Sequence, residues 1–147
     1  MKRILALIAA GAIAATVAGS ASAKGSYTSD NAYIDQPSLN FKQTVTEKGL
    51  GKAPVTFTTT GNGFEEFFCS DGSLLDSKTW SSTDEVTITP DKSKASGTLW
   101  FYRPSTEKSC SDGSTPYVGY ILYSGISVTD NYGNTLTVPD TSQGTRV

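Results

Sequence analysis

The chain contains no histidine, only two cysteines and a single methionine among its 147 residues. Without histidine, Ser-His-Asp and Cys-His arrangements cannot be assembled, and most catalytic zinc sites are excluded. General acid–base work would fall to carboxylates, tyrosine or lysine. Charged residues are also sparse, at 18% of the chain, against roughly 25% in an ordinary globular domain. The basic ones are scattered singly, so no footprint for nucleic acid or for an anionic membrane surface is expected. Beyond residue 23 there is no second long apolar run and no convincing amphipathic helix, so no membrane span is expected there.

What is present begins with an export signal. Lys2 and Arg3 give a positive start, residues 4–18 form an apolar stretch, and Ala21-Ser22-Ala23 is a small-x-small cleavage site. The apolar stretch is short for a span and is interrupted by Gly11 and Thr16. Cleavage after Ala23 would leave 124 residues, enough for one domain with a real core. Losing Lys2 and Arg3 leaves ten basic residues against fourteen acidic, a net charge of −4. The expected protein is bacterial in type and exported, to the periplasm or the extracellular space.

The two cysteines stand in a repeated phrase, Cys-Ser-Asp-Gly-Ser, starting at Cys69 and again at Cys110. In an oxidising compartment they are expected to form one structural disulfide. In the chain-entropy model, closing that loop is worth about 4 kcal/mol. A small domain has a net stability of about 5–15 kcal/mol.

Short alternating segments fill the rest. Leu39, Phe41 and Val45 share one side of residues 39–45, the pattern of a strand with one buried face. Residues 55–60 and 64–69 read as a hairpin around the turn Gly61-Asn62-Gly63. Further strands are expected over 78–82, 86–89, 97–103, 117–123, 126–129 and 135–138. Polar loops are expected over 90–96 and 105–116, with a turn at 130–134. The fold class that follows is all-β: a single antiparallel sandwich, Ig-like or Greek-key, closed by Cys69–Cys110. The expected organisation is a signal peptide over 1–23, a flexible lead-in over 24–36, the sandwich over 37–139 and a polar tail over 140–147.

Cys69, Trp80 and Cys110 stand in the order Cys…Trp…Cys, and the first spacing resembles that of an immunoglobulin domain. The second spacing is short for that family, and Lys108 stands where its tyrosine corner has Tyr. The resemblance implies architecture, with cysteines that need not lie on facing central strands.

Candidate chemistry is thin. Glu65 and Glu66 are adjacent on a strand and so point to opposite faces. The inward one reads as a charge guarding an edge strand, in preference to a buried acid of raised pKa. Asp71 and Asp112 become neighbours through the disulfide, but ordinary Asp-Gly turns explain them better than a calcium loop needing 6–8 oxygens. No metal and no cofactor are expected. Trp100 and Tyr102 occupy alternate positions of one strand, with Trp80, Tyr117 and Tyr123 as candidate neighbours. Such rings either build the core or bind sugars and proteins. The function expected is a non-catalytic binding module for a protein or glycan. Alternatives are a hydrolase inhibitor presenting loop 105–116 with Lys108, and a hydrolase using Glu65 or Glu66 with a second acid.

Overall fold

In the computed structural model, residues 25–36 and 38–144 are described. The export signal expected over 1–23 and the end of the expected tail, 145–147, lie outside the described residues. Among the described residues eight strands are formed: β1 (Ser26–Ile34), β2 (Phe41–Lys48), β3 (Val55–Phe68), β4 (Leu74–Ile88), β5 (Lys94–Phe101), β6 (Tyr117–Asp130), β7 (Thr135–Thr137) and β8 (Thr141–Gly144). They make two antiparallel sheets, one in the order β1-β2-β5 and one in the order β4-β3-β6-β7, with β8 also paired to β6. The sheets pack face to face as a β-sandwich, as the sequence leads one to expect. Its strand order is that of an Ig-like sandwich, except that the fourth strand joins the third rather than the fifth.

Alternation drives the packing. On β2, Phe41, Gln43, Val45 and Glu47 point inward, and on β5 Ala95, Gly97, Leu99 and Phe101 do the same. From the other sheet come Val55, Phe57 and Phe67 of β3 and Ile121, Tyr123, Ile126 and Val128 of β6. The buried residues form two clusters, one around Phe57, Leu99 and Val128, the other around Phe41, Phe101 and Tyr123. Phe41 and Phe101 meet edge-on at 5.8 Å, a geometry that aromatic quadrupoles favour.

Several expected boundaries are displaced. The turn expected at Gly61-Asn62-Gly63 does not exist: β3 runs unbroken through it, pairing with β4 on one side and β6 on the other. The glycines are there for close approach. Trp80, the cross-strand partner of Gly63, lies against its backbone where a β-carbon would stand, and Ile126 and Phe101 crowd Gly61. Likewise 78–82 and 86–89 are parts of the single strand β4, and β5 starts at Lys94, inside the expected loop. Gly125, in the gap between the strands expected over 117–123 and 126–129, is a positive-φ residue (59°) absorbed as a bulge within the single strand β6.

The ends of the domain also differ from expectation. The lead-in is no free segment, because β1 pairs with β2 along its length. Likewise the tail contributes β8, paired with β6 over Tyr120 to Tyr123. Both lie at sheet borders, held by backbone hydrogen bonds and, in β1, by Tyr27, Ala32 and Ile34 packing on the core. The expected disulfide is present, with Cα atoms 5.8 Å apart. Cys69 opens the hairpin turn after β3 and Cys110 lies in the loop between β5 and β6, so the bridge does not join facing central strands.

Candidate binding face

The five aromatic candidates fall in three places. Tyr123 is fully buried in the core, its hydroxyl donating to the Leu39 carbonyl at 2.8 Å. Trp80 packs edge-on against Tyr123 at 5.8 Å and over Gly63, so it too belongs to the interior. Tyr117 lies on the outer side of the five-stranded sheet, near-parallel to Phe68 at 6.1 Å. Only Trp100 and Tyr102 share a surface, the outer face of the three-stranded sheet.

On that face the two rings are near-parallel, 15° apart, with centroids separated by 6.3 Å. Tyr102, just past the end of β5, is 65% exposed. The register adds two residues that periodicity within one strand could not reveal. Lys42 of β2 is directly opposite Trp100, and Tyr33 of β1 is directly opposite Lys42. The Lys42 ammonium sits 4.9 Å from the Trp100 ring centre and 5.7 Å from that of Tyr33, a cation held between two π faces. A carboxylate oxygen of Asp84 on β4 accepts from the Trp100 backbone N–H at 2.8 Å. That bond occupies a donor on the free edge of β5 and discourages edge-to-edge pairing there.

A second aromatic surface went unnoticed in the sequence. Phe64 and Tyr120, with centroids 6.2 Å apart, join Phe68 and Tyr117 on the outer face of the five-stranded sheet. The 56%-exposed Leu74 stands opposite Phe68. Only the pairing of β3 with β6 brings these rings together. A groove of about 270 Å³ on the same face is lined by Thr60, Asn62, Ser81 and Thr83 over Gly61. That volume is below the roughly 300–1,000 Å³ usual for a small-molecule site.

The acids divide clearly. Glu65 does point inward, but β3 is a central strand, so the edge-guard explanation fails. Its carboxylate is fully buried and paired with Arg103 at 2.9 Å. Burial pushes the Glu65 pKa up against the lowering pull of Arg103 and Lys78. Arg103 also donates to the Ser38 carbonyl and lies 6.0 Å from the Phe67 ring, so the ion pair ties β3 to the segment after β5. A second buried acid, Glu47, was not singled out in the sequence, because the alternating segment legible there ends at Val45, two residues before it. Asp71 and Asp112 cap their own turns, each accepting from the backbone N–H two residues on, at 2.9 and 2.8 Å. These bonds, with those from nearby serine hydroxyls, hold both carboxyls below their ordinary value. Among the described residues, no group of three or more metal-ligating side chains is assembled.

Fold and surface together define a class: an all-β sandwich stapled by one buried disulfide, with an aromatic and lysine surface on its smaller sheet. Among the described residues no helix is long and apolar enough to cross a membrane, and the disulfide fits a non-cytoplasmic protein. No protein-family model matches the chain, and no curated protein matches it. Among solved structures, one match is the X-ray structure of Northeast Structural Genomics Consortium target SoR45, 13% identical over 83% of each chain, with a TM-score of 0.28. So loose a superposition carries no argument, and the architecture stands on this chain's own strands.

Proposed function

We propose that this is an exported, non-catalytic binding module that meets a glycan or protein partner through the outer face of the three-stranded sheet. The observation that carries the reading is the near-parallel pair Trp100 and Tyr102, with Tyr102 largely exposed beside it. A ring left in water gives up apolar contact that the core would supply, and flat rings with polar neighbours are a common contact surface. The leader pattern at residues 1–23 and the disulfide support export.

The competing readings have less behind them. Lys108 in loop 105–116 is drawn to Asp76 of β4 at 2.6 Å, so it is not the free tip that an inhibitor loop presents. Glu65 has cations as its charged neighbours, not the second carboxylate that glycoside hydrolysis requires. Replacing Trp100 and Tyr102 by Ala should abolish capture of a partner from cell-wall extract or culture medium while the far-ultraviolet spectrum and a cooperative denaturation transition show the fold intact. Undiminished capture by the double variant would refute the assignment of this face.

A further inference from the structure

The outer face of the three-stranded sheet carries a charge pattern that the composition of the chain hides. In a chain of net charge −2, Lys42, Lys48 and Lys94 all stand at outward positions of β2 and β5. Among the described side chains of β1, β2 and β5 the only carboxylate is that of Glu47, which is turned inward and fully buried. Asp91, in the turn before β5, is an exposed carboxylate that forms an antiparallel bridge with Lys94, so one acid does stand beside this end of the face. Lys48 and Lys94 are direct cross-strand partners. Like charges so placed destabilise a sheet. The ion pairs found among the described residues are Arg103–Glu65 and Lys108–Asp76, and neither relieves them.

Between the rings at one end and this lysine pair at the other lie two hydroxyl rungs. These are Thr44–Thr98 at 3.4 Å and Thr46–Ser96 at 2.9 Å. From Lys42 to Lys48 the strand runs about 20 Å. The face is therefore a stripe of flat rings, hydroxyls and three ammonium groups that outnumber the carboxylates beside them, Asp84 and Asp91, and it is longer than one small molecule.

We propose that the partner of this face is an acidic polysaccharide, a sugar chain bearing carboxylate or sulfate groups. Sugar faces stack on Trp100 and Tyr102, sugar hydroxyls meet the exposed Ser96 and the half-buried Thr44 and Thr98 (Thr46 is buried), and the acid groups relieve the opposed Lys48 and Lys94. The inference rests on this face being the contact surface and adds the chemistry of what it contacts. Charge complementarity selects an anion, and the aromatic pair selects a sugar chain over a plain polyanion.

Affinity gel electrophoresis of the disulfide-intact protein tests it with four probes: polygalacturonate, dextran sulfate, neutral dextran and poly-L-glutamate. Retardation is expected with one or both acidic polysaccharides, which shows whether carboxylate or sulfate is the preferred acid, and not with dextran or polyglutamate. It should weaken as salt is raised. The exposed-site variant Lys48→Gln/Lys94→Gln should lose at least about tenfold in affinity, and Trp100→Ala/Tyr102→Ala a similar factor. Equal retardation by neutral dextran, or binding insensitive to the lysine variant, would overturn the requirement for acid groups and leave the face as the contact surface. Equal retardation by polyglutamate would overturn the sugar. If no polysaccharide binds, the proposal fails, and partner capture that still depends on Trp100 and Tyr102 would show that the face itself survives.

Discussion

Glu47 of β2 and Asp130 of β6 approach from opposite sheets and share one amide: Asn134 Nδ2 donates to Glu47 Oε1 at 3.0 Å and to Asp130 Oδ2 at 2.7 Å. Both acids are buried. The other Asp130 oxygen accepts from the backbone N–H groups of Tyr132 and Asn134, at 2.9 and 2.7 Å, which fixes the turn between β6 and β7. Tyr27 of β1 packs on the neighbouring cluster and directs its hydroxyl to the Asn134 carbonyl. Burial, then the Asp130 charge and a hydrogen bond with Asp130, push Glu47 up to about 7, against the opposing pull of Asn134. Through the Asn134 amide the two acids link the sheets.

The sign of the resulting pH dependence follows. Below the ordinary value of 4.5 Glu47 is protonated whether folded or not, and its contribution is fully present. As pH rises toward about 7 the unfolded chain releases that proton while the native state keeps it, so stability falls through this window and levels off above it. The linkage amounts to at most about 3 kcal/mol. Chemical denaturation at a series of pH values should show the decline, and Glu47→Gln should flatten it. A wild-type midpoint that stays constant across the window would contradict the placement of Glu47.

Breaking the Glu65–Arg103 pair from one side should be worse than removing it whole. Arg103→Ala leaves a fully buried carboxylate without its partner, a loss of about 3–5 kcal/mol for such pairs. The double replacement Glu65→Leu/Arg103→Met should recover much of that loss, since burying two charges is itself costly. Urea denaturation of the single and double variants measures the cycle; additive losses would mean the two groups act independently.

Gly63 is a packing position, not a turn. A side chain there meets the Trp80 ring, so Gly63→Val should destabilise by about 1–3 kcal/mol through overpacking. The control is Gly51→Ala, where an added β-carbon meets nothing within 4 Å. Comparable denaturation midpoints for the two variants would return Gly63 to the role of a turn residue.

Closing 41 residues of sequence separation, the disulfide should contribute about 4 kcal/mol. The folded protein should resist thiol alkylation until reduced, and reduction should lower the thermal midpoint. Free reaction of either cysteine without reductant would remove the bridge on which the loop between β5 and β6 depends.

Much of this was legible along the chain. Period-two alternation in residues 39–45 and 55–60 named inward side chains of β2 and β3 correctly, because one-sided burial imposes that period on any strand, whereas over 97–103 large groups on both faces left the inward side of β5 open. The repeated Cys-Ser-Asp-Gly-Ser phrase marked the disulfide, since two cysteines allow one intramolecular pairing. Glycine misled. Gly61 and Gly63 carry a turn signal in one dimension, and only the arrival of Trp80, Ile126 and Phe101 from other strands shows that the missing β-carbon is needed for contact. Strands β1 and β8 were missed for a different reason: backbone pairing holds them at the sheet borders, and the few apolar side chains of β1 that pack on the core, Tyr27, Ala32 and Ile34, are too widely spaced to show a period.

The sequence by itself determined that the molecule is built of strands, closed by one bridge and without histidine chemistry, because these properties depend on local period and residue type alone. Tertiary structure decided everything about the surface. Pairing of β2 with β5 set Lys42 beside Trp100 and Lys48 across from Lys94, turning cations scattered singly in the chain into a single stripe. It also sent Tyr123 and Trp80 inward while leaving Tyr102 in solvent. The physical reason is register: which residues become neighbours across a sheet depends on strands distant in sequence, and no window along one strand contains that information.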